Sequence, residues 1–293
     1  MSDLRDITII GGGPTGLFAA FYASLRGLGV RIVDSLPELG GQLMALYPEK
    51  YIYDVGGFPK ILAKDLARGL IDQAMQFDPE IVIDEEVGSL EREGDEWVLV
   101  GRTDAYRSKA VLVAGGKGAF EPRALTCPGY EELLHRGVDY AVKDPEVHRG
   151  KRVAIIGGGD SALDWALILK DVCAEVHLVH RRDGWRAHEA SVAQLGVAGE
   201  KGEVNILTFH EVREIHGNGT VDGLTVFDNR TDEDTRLEVD SVLTFLGFKP
   251  DLGPIKDWGF ELTDNGRRIA VNQRMETNLP GVYAAGDLVD YEG

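Results

Sequence analysis

Two segments of this chain share one pattern: a short apolar run, a glycine turn, and then a stretch that reads as helix. Ile7–Ile10 runs into Gly11-Gly12-Gly13-Pro14-Thr15-Gly16, and Val153–Ile156 runs into Gly157-Gly158-Gly159-Asp160-Ser161-Ala162. In such a turn the first glycine permits the tight bend and the second lets a pyrophosphate approach the backbone. The third small residue lets helix and strand pack closely. The helix that follows presents its N-terminal N–H groups to phosphate. Two such turns predict two Rossmann-like sheets of α/β class.

The strands that come next end in opposite charge. Val30–Val33 ends in Asp34, 18 residues beyond Gly16, and a carboxylate there suits a ribose diol. Glu175–Val179 ends in His180-Arg181-Arg182, with His180 lying 18 residues beyond Ala162, and this cationic end suits a 2′-phosphate. One chain is therefore expected to hold two different dinucleotides. The alternative for Arg181 and Arg182 is an exposed basic pair on a loop or helix.

Length and composition limit the other possibilities. A chain of 293 residues is long enough for two domains. Hydrophobic residues make up 43%, yet no apolar run approaches the ~20 residues of a membrane span. The first core strand begins so near the N-terminus that no cleaved signal peptide is expected. Cys127 and Cys173 are the only cysteines, too few for a disulfide framework and too far apart for a redox pair by spacing. A cytoplasmic setting is the expectation. The seven histidines show no metal-ligand spacing. A net charge of −18 argues against nucleic acid and anionic membrane as partners.

Along the chain, the pattern reads as one domain inserted within another. The expected division is 1–117 with 248–293 for the first dinucleotide domain and 118–247 for the second. In the first, a helix is expected over Lys60–Phe77, a hairpin strand over Glu96–Arg102, and a buried strand over Ala110–Gly116. In the second, Gly217–Gly219 reads as a turn between short strands, and Ser241–Gly247 mirrors Ala110–Gly116. After Pro250 the chain is expected to return to the first domain, where Val282-Tyr283-Ala284-Ala285 delivers Gly286-Asp287 at the carboxyl end of a strand.

The paired fingerprints, Gly40-Gly41-Gln42-Leu43, His180-Arg181-Arg182 with Arg186-Ala187, and Gly286-Asp287 resemble the thioredoxin-reductase group of flavoproteins. That group carries a Cys-x-x-Cys just before the second fingerprint. Here Val138–Asp144 contains no cysteine, and a dithiol relay cannot run without thiols. The chain more closely resembles ferredoxin–NADP reductases of thioredoxin-reductase type. It does so through Leu46–Val55, Gly118-Ala119-Phe120-Glu121-Pro122-Arg123, Gly159-Asp160-Ser161-Ala162 and Arg186-Ala187-His188-Glu189.

The resemblance implies FAD at the first fingerprint and NADPH at the second, in two three-layer domains of a homodimer. It implies that Gly11, Gly13, Thr15 and Gly16 carry the FAD pyrophosphate and that Asp34 holds its ribose. Gln42 and Tyr47 would lie along the flavin, and Val87 would meet the adenine by its backbone. Phe120, Gly286 and Asp287 would contact the isoalloxazine side and the ribityl chain or pyrophosphate. Tyr51 and Tyr53 read as structural. For NADPH the same likeness implies Gly157, Gly159, Asp160, Ser161, Ala162, His180, Arg181, Arg182 and Arg186.

The family continues past Gly-Asp into a helix and tail that this sequence lacks, so the chain is expected to be incomplete. With no catalytic triad, metal cluster or dithiol, the chemistry is expected to lie in the flavin, which takes hydride from NADPH and releases single electrons to ferredoxin or flavodoxin. Gly115–Gly118 and Gly247–Pro250 read as hinges for domain rotation. Two other readings stay open: a reductase of a small acceptor such as a quinone, a ferric chelate or oxygen, and a non-catalytic flavin or nucleotide sensor.

Overall fold

The computed structural model describes residues 4–116, 118, 121–249 and 251–291. The chain divides into two compact units, Met1–Glu121 with Lys249–Gly293, and Pro122–Phe248. Each is a parallel sheet with helices on one face and antiparallel strands on the other.

The first unit opens with β1 (Arg5–Ile10), α1 (Pro14–Leu25), β2 (Val30–Val33) and the single-turn α2 (Gln42–Ala45). It continues through β3 (Tyr51–Ile52), β4 (Ile61–Leu62), α3 (Ala63–Met75), β5 (Glu80–Val82), β6 (Val87–Glu93), β7 (Glu96–Gly101) and β8 (Ala105–Val113). The sheet order is β5-β2-β1-β8-β7-β6, parallel from β5 to β8 and antiparallel beyond. The late strand Val282–Ala284 pairs in parallel with the far half of β8. Alternation along the strands builds two cores. Ile9, Ile32 and Leu112 face α1, while Val33, Val111 and Val113 face the β6–β7 ribbon and Trp258.

Helix α3 is shorter than the expected Lys60–Phe77. Ile61 and Leu62 are drawn into a two-residue ladder with Ile52 and Tyr51, and Asp78 takes φ +51° just beyond the helix end. Strand β8 starts earlier than Ala110, because its first half, with alternating exposure, pairs with β7. A run of apolar residues marks only the half buried on both faces.

After β9 (Glu121–Pro122), the second unit contains α4 (Tyr130–Leu133), β10 (Val138–Asp139), β11 (Arg152–Ile156), α5 (Asp160–Leu169) and β12 (Glu175–His180). Then follow α6 (Glu189–Glu200), β13 (Asn205–Thr208), β14 (His210–Gly217), β15 (Val221–Asp228), β16 (Asp234–Leu237) and β17 (Ser241–Thr244). The parallel order is β10-β17-β11-β12-β13, with β14-β15-β16 as a separate antiparallel sheet. Gly217–Gly219 lies in the turn that joins β14 to β15. Ile156, Val179 and Val242 pack against Ile215, Leu224 and Val226 of that smaller sheet. The fold is thus α/β, with the Rossmann-like sheet built twice.

Candidate functional site

At the first glycine turn the chain leaves no room for side chains. Gly11 has φ +108°, and a Cβ there would lie 2.4 Å from the Ala114 carbonyl oxygen. At Gly16 a Cβ would lie 1.9 Å from the Gly11 carbonyl oxygen, which is why α1 can start directly over the end of β1. Gly13 is the N-cap of α1 and provides no side-chain cap, so the helix starts with open donors facing an anion site.

A cavity of about 600 Å³ opens over this turn, inside the first unit. Gly11, Gly13, Thr15, Asp34, Gln42, Tyr47, Val87 and Asp287 all line it, although they span most of the sequence. Parallel pairing brings this about: β1, β2 and Val282–Ala284 all end at the same edge of the sheet. Gly286 has φ +91° and packs beside Thr15, while Gly16 is buried behind the turn. Phe120 lies outside the described residues.

Asp34 sits at the tip of β2 and is only 7% exposed. Its carboxylate accepts from the Gly12 N–H and, at 2.8 Å, from the Leu36 N–H. Burial pushes its carboxyl above the ordinary carboxylate range, and these two hydrogen bonds pull the other way. Also on the cavity wall, Gln42 Nε2 donates to Asp287 Oδ2 at 3.4 Å. The Tyr47 phenol is pushed up by burial and then by the negative charges of Asp287 and Asp54. A cavity lined by glycine backbone, the open donors of α1 and the Asp34 carboxylate fits a dinucleotide. The Tyr47 ring on its wall fits a flat ring system, so the residues present match FAD.

The cavity also involves residues that local sequence patterns did not indicate. Glu85, Glu86 and Leu36 line it beside Asp34, and Leu252, Ile255 and Trp258 close its wall. Trp258 Nε1 donates to the Gly88 carbonyl at 3.0 Å. These three apolar residues look in sequence like ordinary core, and only the return of the chain after the second unit brings them here.

The second glycine turn repeats the construction. Gly157 has φ +154°, and its Cβ would meet the Phe245 carbonyl oxygen at 2.5 Å. Gly159 caps α5 without a side-chain acceptor, Asp160 and Ser161 open that helix, and Ala162 is fully buried against the strand. The His180 ring lies over Gly158, so a Cβ there would lie 2.1 Å from His180 Cε1. His180 also stacks on Trp185 at 4.9 Å between centroids, and its Nε2 is 3.0 Å from the Gly184 carbonyl. Burial, followed by the Arg181 and Arg182 charges, pushes its imidazole below the ordinary value, against the pull of that carbonyl.

Three further bonds latch the 181–188 loop onto the unit. The Arg186 N–H donates to the Gly158 carbonyl at 2.7 Å, and the His188 N–H donates to the Asp160 carboxylate at 2.9 Å. Asn229 Nδ2, from the loop after β15, donates to the Arg181 carbonyl at 3.0 Å. Arg181, Arg182 and Arg186 are all exposed beside the turn, where a phosphate could reach them. Asn229 gave no signal in sequence, since it acts through a single carbonyl 48 residues away.

No group of three or more His, Cys, Asp or Glu among the described residues could hold a metal ion. No helix there is long and apolar enough to cross a membrane.

Comparison with known proteins agrees with this construction. Residues 5–292 match the family model for pyridine nucleotide-disulphide oxidoreductases. The ferredoxin–NADP reductase of Thermus thermophilus is 52% identical over the whole chain, which covers 87% of that relative. The ferredoxin–NADP reductase of Sulfurisphaera tokodaii is 48% identical, over 98% of this chain and 86% of the relative. Among solved structures, the thioredoxin reductase of T. acidophilum superposes with a TM-score of 0.87 at 29% identity, covering 99% of this chain and 91% of that one. The Lactococcus lactis thioredoxin reductase gives 0.86 at 27% identity, covering 99% of this chain and 92% of that one. The chain belongs to the pyridine nucleotide-disulphide oxidoreductase family.

Proposed function

We propose that this chain is a ferredoxin–NADP reductase. It would hold FAD at the cavity over Gly11–Gly16 and NADPH at the turn Gly157–Ala162, and it would move electrons between NADPH and a ferredoxin or flavodoxin. The observation that carries this reading is the pairing of two glycine turns with opposite strand ends, Asp34 at one and Arg181-Arg182 at the other, in a chain without a Cys-x-x-Cys. Relatives of this name at about half identity over the whole chain support it.

Bound flavin supplies what no side chain here can, acceptance of two electrons as hydride and their release one at a time. The overall change balances as NADPH plus two oxidised ferredoxins giving NADP⁺, a proton and two reduced ferredoxins. The protein binds and orients. Asp34 offers carboxylate oxygens to a ribose, the open donors of α1 face the pyrophosphate, and Tyr47 supplies an aromatic wall for the ring. Arg181 and Arg182 receive the 2′-phosphate of NADPH, and the His180–Trp185 stack keeps their loop on the glycine turn.

Two further parts of the reading concern assembly and cellular setting. A homodimer is supported by the uncharged face of α1, where Phe18 and Tyr22 are each 53% exposed and stack at 6.4 Å. A cytoplasmic setting is supported by the two free thiols, Cys127 and Cys173.

The test is anaerobic addition of NADPH to purified flavoprotein, followed by steady-state rates with ferredoxin, a quinone and thioredoxin. Bleaching of the flavin with fast ferredoxin reduction and no thioredoxin turnover is the expected result. Quinone reduction that outruns ferredoxin would make it a small-acceptor reductase, and failure to bleach would leave only a sensor. Thioredoxin turnover is not expected from these thiols: burial raises Cys127 and holds Cys173 at about 11, so neither is a ready nucleophile.

A further inference from the structure

Two of the exposed aromatic patches among the described residues of the first unit differ in charge. The face of α1 has no charged side chain between Pro14 and Leu25. The other patch is the β3–β4 hairpin, which follows directly on the cavity wall at Tyr47.

Alternation at Tyr51, Ile52 and Tyr53 gives this hairpin an inner and an outer face. Ile52, Val55 and Ile61 turn inward onto Leu43, Ala63 and Leu66 of α2 and α3. Tyr51 and Tyr53 turn outward, at 40% and 67% exposure, and Phe58 at the tip is 47% exposed. In sequence Tyr51 and Tyr53 read as structural; here both rings face solvent. The hairpin is held firmly, with the Ala63 N–H donating to the Lys50 carbonyl at 2.9 Å and the Lys64 N–H to the Pro48 carbonyl at 3.0 Å.

Lysines stand among these rings. Lys60 Nζ lies 4.5 Å from the centroid of Tyr51, and Lys50 Nζ lies 5.9 Å from that of Tyr47, itself part of the cavity wall. Glu49 is bound by Lys64 at 2.5 Å, which leaves Asp54 as the exposed acid within the hairpin. From Tyr47 to Lys64 the formal charge is +1 in a chain of −18. Exposed aromatics with cations at the rim are the composition of a protein-binding surface, and local positive charge on an acidic molecule favours an acidic partner.

We propose that the β3–β4 hairpin is the docking surface for a small acidic iron–sulfur protein, which it seats beside the flavin end of the cavity. The rings of Tyr51, Tyr53 and Phe58 supply the desolvated contact, and Lys50 and Lys60 steer the approach. This assignment rests on the reading of the chain as a ferredoxin reductase.

The experiment uses the full flavoprotein with NADPH and an acidic bacterial ferredoxin, followed through cytochrome c. Ferricyanide, which needs no docked protein, reports the flavin reaction alone. Three forms are compared with wild type: Lys60→Glu, the double change Tyr53→Ala with Phe58→Ala, and Lys201→Glu. The last makes the same change in net charge at an exposed position on the second unit.

Lys60→Glu is expected to lower kcat/KM for ferredoxin about 3- to 10-fold and to flatten its salt dependence, since a rim charge acts on encounter. The double aromatic change is expected to lower it about 10-fold or more, as loss of interface anchors does. Ferricyanide rates and bound flavin should stay within about twofold of wild type in every form, and Lys201→Glu should leave the ferredoxin kinetics unchanged. Ferredoxin kinetics unaltered in both hairpin variants, or altered equally by Lys201→Glu, would overturn the docking assignment while the reductase reading stands. A parallel fall in ferricyanide rate would also overturn it, because the hairpin would then serve the flavin itself. Wild type that bleaches with NADPH yet fails to reduce ferredoxin would sink both.

Discussion

At the level of single residues, the proposed NADPH site would depend on two guanidinium groups, those of Arg181 and Arg182. Each charge-assisted bond to a phosphate contributes about 1.5–3 kcal/mol. Replacing Arg181 or Arg182 by alanine should therefore cost roughly 10- to 150-fold in kcat/KM for NADPH, at 1.4 kcal/mol per decade. NADH has no 2′-phosphate, so kcat/KM for NADH should hardly change. Equal losses for both nucleotides would mean that the arginines support the loop and not the ligand.

Histidines set a pH dependence at the same scale. His148 is buried, and its Nδ1 has no hydrogen-bond partner among the described residues. Burial and then Lys151 push its imidazole below the ordinary value, while Asp139 and Asp144 pull it up. His177 and His180 are likewise lowered, chiefly by burial. The unfolded chain thus takes up protons near pH ~6.5, where the folded chain does not. This contribution to stability is complete above that pH and falls away below it. The apparent Tm should drop on acidification from about pH 7.5 to 5.5, and less steeply in His148→Phe, which removes one of the groups. Parallel curves for the two proteins would refute the assignment to His148.

Between elements, contact distance decides what a methyl group does. At Gly16 the methyl would enter the Gly11 carbonyl and push α1 off β1, whereas at Gly69, in the middle of α3, nothing lies within 4 Å. Gly16→Ala should cost about 1–3 kcal/mol, by the measure of overpacked cores. Gly69→Ala should add about 0.4–1 kcal/mol through the entropy of the unfolded chain. Thermal unfolding should therefore show opposite shifts in Tm for one chemical change, with flavin retention falling only in the first. Shifts of the same sign would contradict the packing described at the first turn.

For the whole molecule, the α1 face carries the prediction. A dimer across it would bury Phe18, Tyr22 and their copies around a two-fold axis. Light scattering should give twice the mass of the 293-residue chain for wild type, and the single-chain mass for Phe18→Asp with Tyr22→Asp. A monomeric wild type would remove the dimer, and a dimer that survives both changes would place its interface elsewhere.

Local rules made much of this molecule readable. Glycine at Gly11 and Gly157 is demanded by backbone conformation within a few residues, and four-residue apolar runs such as Val153–Ile156 mark strands buried on both faces. Two strand–turn–helix repeats thus identified the α/β class and the doubled sheet, and the lack of cysteine in Val138–Asp144 set this chain apart from dithiol enzymes. Other features depend on pairings that no local pattern encodes. The first half of β8 is a strand because β7 lies beside it, and α3 yields Ile61 and Leu62 to the ladder with β3. Trp258 joins the cavity wall, and Asn229 holds the Arg181 carbonyl, through chain returns of many residues. Whether a tyrosine packs inward or faces solvent is likewise a tertiary matter: Tyr47 lines the cavity while Tyr53 projects from a neighbouring hairpin. Backbone geometry and strand periodicity act over a few residues and are written in the sequence, whereas the walls of a site are decided by which distant strand ends the sheet brings together.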